Sequence, residues 1–571
     1  MPRSPERAEP RPSPVARRSI QDAIAAAARH PAAAWTALAS CFAFGIALQL
    51  SQPIHHDVGW LLVATRHLLR GARIYDEDVV EINPPTILWI LAPALALARA
   101  LGASEIAGVR AWAFASAAGS LALCAAVLRR ALGPERAPLR RWTLAALAFA
   151  FLVPLHRQFA QREHWMALLL LPYVLVLGAR GSGASPGRAL AVASGSLAAV
   201  ALALKPHQLL VPALLELHLA LRRRSARALL RPETAALAVV GTAFVAAVAA
   251  FTPAYLTRVL PLAADVYGAF QRPRVELLRP AQLVLLLLSG LAVLRVRGDP
   301  ARAELARSCW LAGAGAWLAH LVQATGWPYH LIPFETAALA ALAIALAPDR
   351  AARLPGRPVP ALAAAGLGAV VATALALAPP FGAIATLRSG GAWRRGEESG
   401  IVGELADLLR EHGAGGPVVF LSTRLEWGFP AVNYAGVDWS SRFGWLWPLP
   451  AVIRARATGA DPAPERLAAI ERYVAASLVE DFERAPPQLV FVDAPARAFG
   501  TGGKPVDLLE TLLRDPGFAR IWRGYEPFGR AGPYRIHRPR AAAGRSREVE
   551  PPASPPAISW GRSDQESGAG P

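Results

Sequence analysis

Three residues in a row, His55-His56-Asp57, follow the first long apolar stretch of this chain, and Ile82-Asn83-Pro84-Pro85 stands a short way beyond. Charge beside hydrocarbon loses solvation, so an ionisable cluster at such a boundary is a candidate functional site by default. Asp57 suits a general base acting on a hydroxyl, because partial desolvation is expected to raise a carboxylate pKa toward working pH. Asp is also a favoured N-cap, and the run beginning near Val58 reads as an amphipathic helix, so capping is an equally open role. His55 and His56 could orient the carboxylate or bind a divalent metal. Adjacent residues rarely point at one ion, and aqueous-facing histidines are the plainer reading.

Three further clusters carry candidate chemistry. In Gln161-Arg162-Glu163-His164, Glu163 could face Asp57 across a cavity, or Arg162 could neutralise it in a simple ion pair. In Lys205-Pro206-His207, one of the chain's two lysines suits a phosphate, as a compact charge with three donors, or snorkels to an interface. In Gly326-Trp327-Pro328-Tyr329-His330 the aromatics could belong to an interfacial belt or stack on a sugar ring, with His330 within reach of a phosphate.

These residues need a scaffold, and composition names it. A hydrophobic share of 54% over 571 residues, with mean hydropathy +0.32, exceeds what an ordinary soluble enzyme carries. Apolar blocks lie near 32–50, 86–101, 107–128, 142–156, 165–179, 188–204, 207–221, 235–254, 281–294, 308–323, 331–347 and 358–379, against about 20 residues for a span. The three cysteines fall singly inside such blocks and offer neither a disulfide framework nor a zinc spacing. The net charge of +19 is mostly arginine in short loops, so membrane topology explains it and nucleic acid is not an expected partner.

Basic loops at 129–141, 222–231 and 295–307 are expected inside, with the basic N-terminus. All twelve blocks cannot be spans on that rule. Treating 86–101 as an interfacial or re-entrant helix repairs the topology and leaves about 11 transmembrane helices. Residues 51–106 then form a large first external loop, and everything after about 380 is external. Beyond that point the pattern changes: an amphipathic helix at 401–411, a strand at 417–423, a helix at 464–484 and a strand at 488–494 predict a small α/β domain. The expected organisation is a disordered basic cytoplasmic N-terminus (1–31), a transmembrane domain (32–380), an extracytoplasmic α/β domain (381–540) and a disordered tail (541–571). Dense aromatic and polar residues around Asn433-Tyr434-Ala435-Gly436 and Ser441-Arg442-Phe443 could bind an acceptor or cover a membrane cavity.

Taken together, these elements resemble the GT-C superfamily of polyprenyl-phosphate-sugar-dependent glycosyltransferases, which includes protein O-mannosyltransferases and aminoarabinose transferases. The matching elements are Asp57 after the first span, an amphipathic run to Gly71 and Tyr75, Asn83-Pro84-Pro85 opening a juxtamembrane helix, Gly108-Val109-Arg110 opening the next span, and an acidic second external loop. The resemblance covers residues 32–350. It implies a GT-C-like, α-helical polytopic protein of a bacterial inner membrane, and inverting transfer of one sugar from a polyprenyl-phosphate donor to an extracytoplasmic glycan, lipid or protein acceptor. Asp57 would be the base and Glu163 a second catalytic acidic residue. His56, Arg162, Lys205, His207, Tyr329 and His330 would contact substrate, with metal dependence open. Two other classes fit the composition: a transporter or flippase of lipid-linked saccharides, and a non-catalytic envelope scaffold.

Overall fold

The structure is a computed structural model that describes residues 30–296, 298–347, 397–458, 464–495 and 505–540. The expectations for 1–29, for the apolar block 358–379 and for the tail 541–571 lie outside the described residues. The chain opens with a series of helices: α1 (Pro31–Leu50), α2 (His56–Leu69), α3 (Thr86–Ala100), α4 (Glu105–Ala131), α5 (Ala137–Leu152), α6 (Arg162–Gly181) and α7 (Arg188–Leu204). It continues with α8 (Leu210–Arg223), α9 (Pro232–Phe251), α10 (Leu260–Val266), α11 (Pro280–Arg295), α12 (Pro300–Gln323) and α13 (Ile332–Leu346).

Local signals set several of these boundaries. α1, α9, α11 and α12 open on proline, whose missing N–H costs nothing in a first turn. The side chains of Ser104 and Asp299 accept backbone N–H bonds at the starts of α4 and α12. Among the described residues five helices are long and apolar enough to cross a membrane: α1, α4, α6, α9, and α13 together with the turn from Pro328. α3, α7 and α11 are apolar but shorter. α9 exposes Val239, Val245 and Phe251, a cost in water that hydrocarbon removes.

α3 is one of the short apolar helices. Its 15 residues reach only about 22 Å at 1.5 Å per residue, short of the ~30 Å hydrocarbon core. Its first residue bonds α7, Thr86 Oγ1 to Ala203 O at 2.8 Å, and Arg99 in its last turn bonds Glu105 at the start of α4.

The second part comprises α14 (Glu397–His412), β1 (Val418–Leu421), α15 (Gly428–Ala435), α16 (Leu449–Thr458), α17 (Pro464–Arg484) and β2 (Leu489–Asp493), followed by α18 (Leu508–Leu512), α19 (Pro516–Trp522), β3 (Tyr525–Ala531) and β4 (Tyr534–Pro539). The sheet order is β1-β2-β4-β3, with β1 parallel to β2 and the other pairs antiparallel. α14 buries Val402, Leu405, Ala406 and Leu409, one face of a 3.6-residue period. α17 buries Ile470, Val474, Leu478 and Phe482 in the same way. Helices and strands lie at the four expected places; the parallel pairing of β1 with β2 and the β3–β4 hairpin are additions. The hairpin's turn, Gly532-Pro533, follows a strand whose exposed residues are Pro527, Gly529 and Arg530 and which carries a register shift between Pro527 and Gly529.

The two parts are locked together through α2. Val58 to Thr65 are buried without a break, because α3 covers one side of α2 and α15 the other. Asn433 Nδ2 donates to Gly59 O at 2.9 Å, and Ile54 N donates to the Tyr434 hydroxyl at 3.2 Å. A Cβ on Gly444 would stand 2.3 Å from the Trp60 ring, so that approach needs glycine. Val80 N donates to Arg442 O at 2.7 Å, while Arg442 Nε bonds the fully buried Asp481 at 3.0 Å. Of the two readings offered for the Asn433 and Arg442 segments, these contacts match a packed cover.

Candidate active site

A cavity of about 690 Å³ opens where the helix bundle meets the sheet domain. Its walls come from the start of α2 (His55, His56, Asp57, Trp60), the Glu81–Pro84 segment, Arg162, the Lys205–His207 turn, the 327–329 turn and, from the second part, Thr423 to Glu426 with Trp445. Segments far apart in sequence meet because successive helices end or begin at this one face: α1 and α7 end there, while α6 and the Pro328 turn begin there.

Asp57 sits in the first turn of α2 and is not its cap. The N-cap is His55, whose Nδ1 accepts from Asp57 N at 3.2 Å. That frees the carboxylate for other partners: Gln161 Nε2 at 3.1 Å, Arg162 Nη2 at 3.5 Å and His56 Nε2 at 3.5 Å. Burial pushes its pKa up, but His56, His55, Arg162 and the Gln161 bond outweigh burial and bring it down to about 2. The expected rise toward working pH is therefore overturned, and Asp57 is ionised throughout the physiological range.

Arg162 feels the charge of neighbouring Glu163 as well as that of Asp57, but its direct ion pair is with Asp57. Arg162 reaches Asp57, whereas Glu163, fully buried, pairs with Lys205 and has His330 Nε2 at 3.5 Å. Glu163 and His330 are not among the cavity's lining side chains; they form a layer behind Lys205, so Glu163 does not face Asp57 across open space. Lys205 Nζ also stands 5.7 Å from the centre of the Tyr329 ring, within cation–π range. Burial lowers the Lys205 pKa to about 8, against the pull of Glu163 and with a further push from Arg162. Tyr329 stacks on Trp327 at 5.8 Å, and Thr325 Oγ1 lies 3.0 Å from His330 Nδ1. Half-buried His207 lines the cavity beside Lys205.

The two histidines at 55 and 56 face one another closely, with ring centres 3.8 Å apart, and His55 is buried, against the aqueous-facing expectation. Donor atoms of His55, His56 and Asp57 lie within 4.8 Å of one another, so these neighbours do converge on one point. Two imidazoles and a carboxylate are a donor set that zinc or another divalent first-row metal accepts. Burial and the neighbouring His56 hold the His55 imidazole well below its usual range, which leaves it neutral, as ligation requires.

Several site residues escaped the sequence reading. Gln161, fully buried, bonds both Asp57 and His55. Glu81 takes the Trp60 indole N–H and both the backbone and side-chain amides of Asn83, which shapes the turn ahead of Pro84-Pro85. The signal for Glu81 was its place one residue ahead of Ile82-Asn83-Pro84-Pro85. Arg424 and Glu426 sit just beyond β1, and nothing in the local pattern announced them.

No protein-family model matches the chain, and no curated protein does. Among solved structures it is similar to two crystal structures of ArnT from Cupriavidus metallidurans. The form bound to undecaprenyl phosphate is 13% identical with a TM-score of 0.46, covering 92% of this chain and 98% of that one. The apo form is 13% identical with a TM-score of 0.48, covering 89% and 98% respectively.

Proposed function

We propose that the chain is an integral membrane glycosyltransferase that moves one sugar from a polyprenyl-phosphate donor to a hydroxyl acceptor at the extracytoplasmic face of a bacterial inner membrane. The observation that carries this reading is the single cavity in which an ionised carboxylate, Asp57, and a buried lysine, Lys205, stand at the rim of an apolar helix bundle. A lipid-linked donor needs that placement: its tail stays in hydrocarbon while its sugar-phosphate reaches the ionic groups.

In the transfer, the acceptor oxygen bonds the anomeric carbon as the bond from that carbon to the phosphate oxygen breaks. The bonding pair leaves with the phosphate, and the acceptor proton passes to the Asp57 carboxylate. With its low pKa, Asp57 is a weak base but a constant hydrogen-bond acceptor, so it orients the hydroxyl at every working pH and takes the proton as the new bond forms. Lys205, His207 and Tyr329 line the end that would receive the phosphate, where a fixed cation stabilises the departing charge. Glu163, with His330 beside it, holds Lys205 in place from behind. Arg162 keeps Asp57 ionised.

The test is transfer by purified protein in lipid, using labelled polyprenyl-phosphate sugars and an envelope acceptor extract. Transfer by the wild-type protein is expected. Absence of both transfer and donor hydrolysis with every donor would overturn the reading in favour of transport or scaffolding.

A further inference from the structure

The cavity is incomplete without the second part of the chain, whose loop after β1 supplies Thr423, Arg424, Leu425 and Glu426 to its wall. Contacts along that wall lead from Arg162 to Asp57, from Asp57 to His56, and from His56 Nε2 to Glu426 Oε1 at 3.9 Å, while Lys205 also lines the cavity and is held by Glu163 from behind it. Inverting displacement places nucleophile and leaving group on opposite sides of the anomeric carbon. With the phosphate at Lys205 and the base at Asp57, the acceptor has to enter from the Glu426 end.

Resting on the transferase reading above, we propose that the loop Thr423–Glu426 is the acceptor subsite, and that it takes a saccharide hydroxyl, whether on a free or a lipid-linked glycan. A carboxylate and a guanidinium on adjoining turns of one loop offer an acceptor and a donor to neighbouring ring hydroxyls. Trp445, half-buried against Phe270 at 5.6 Å, adds an apolar ring face to the same cavity. One mode of peptide recognition adds a strand to an open sheet edge. The outer edge of β1 is closed: Val418 N donates to Asp438 O at 2.9 Å, and Ser440 N donates to Val418 O at 3.1 Å. The loop itself is held firmly, with Ser422 Oγ bonded to Asp493 at 2.6 Å and Arg424 N to Ser422 Oγ at 2.9 Å.

The experiment pairs labelled polyprenyl-phosphate sugars with a panel of octyl hexopyranosides as acceptor probes, with the full-length protein in lipid. It compares wild type with Glu426→Gln and Arg424→Ala, and measures undecaprenyl phosphate affinity alongside. The expected result is at least a tenfold rise in acceptor KM, a matching fall in the ratio of transfer to donor hydrolysis, and donor affinity within twofold of wild type in both variants. Unchanged acceptor KM in both variants overturns the subsite while leaving the transferase intact. Hydrolysis by wild type without transfer to any glycoside, but with labelling of envelope protein, overturns the saccharide class. A wild-type protein that neither transfers nor hydrolyses overturns the transferase reading, and this subsite with it.

Discussion

Arg162 Nη2 lies 3.5 Å from Asp57 Oδ2, while the very next residue, Glu163, turns inward to pair with Lys205. Two adjacent residues of opposite charge thus serve two different partners. Because they open α6, their side chains diverge by about 100° around the helix axis, as 3.6 residues per turn requires. One faces the cavity and the other the layer behind it.

Replacing Asp57 with Asn keeps the shape and removes the charge. Transfer is expected to fall by about 100-fold to 10,000-fold, the usual range for a positioned base. Thermal unfolding and size-exclusion profiles should stay near wild type. Unchanged turnover of the purified variant would remove Asp57 from the chemistry.

Lys205→Met strands a fully buried carboxylate. Breaking one side of a buried pair costs about 3–5 kcal/mol, so the unfolding temperature should drop clearly, and donor binding with it. Adding Glu163→Gln is expected to recover most of the stability and none of the donor affinity. Recovery of both would make the pair purely structural.

Donor affinity should also follow pH. Lys205 carries its charge below a pKa lowered to about 8 and loses it above, so binding of the proposed polyprenyl-phosphate donor is expected to weaken as pH rises through about 8. Arginine stays charged throughout that range, so Lys205→Arg should flatten the alkaline limb. Asp57, held at about 2, contributes no acid limb above roughly pH 3. Titration of binding in lipid nanodiscs from pH 6 to pH 10 distinguishes these outcomes.

At the seam between the two parts, Gly444→Ala forces a methyl group to within 2.3 Å of the Trp60 ring. Overpacking of this kind costs about 1–3 kcal/mol. Limited proteolysis should then cut the second part faster while the helix bundle remains intact. An unaltered digestion pattern would mean that Trp60 moves aside without loss.

Much of this was legible from residue types. Apolar runs such as Pro232–Phe251 and the buried faces of α14 and α17 gave helices close to their observed bounds, because burial of one face or of a whole span fixes period and length. The candidates His56, Asp57, Arg162, Lys205, His207 and Tyr329 line one cavity, having been picked out as ionisable or aromatic residues at the ends of apolar blocks, whereas Glu163 and His330 lie behind it. The ion-pair partners were not legible. Whether Arg162 serves Asp57 or Glu163 depends on its direction around a helix and on what lies opposite, which a linear pattern does not contain. The β3–β4 hairpin was hidden for a related reason: its exposed strand carries polar residues on both sides of a register shift, so the two-residue alternation breaks. The electrostatics of Asp57 reversed for want of the same three-dimensional information, since desolvation is visible in sequence but four surrounding partners are not.

The bond between Asn433 and Gly59 joins residues 374 apart in the chain. At a synthesis rate of about 5–20 residues per second, roughly 20–75 s separate their emergence from the ribosome. Throughout that interval α2 has no partner on the face that α15 will cover, and the cavity has no outer wall. The nascent chain can therefore insert its helices long before the cavity is closed, and on the proposed transferase reading a product truncated ahead of Thr423 is expected to reach the membrane without turning over donor.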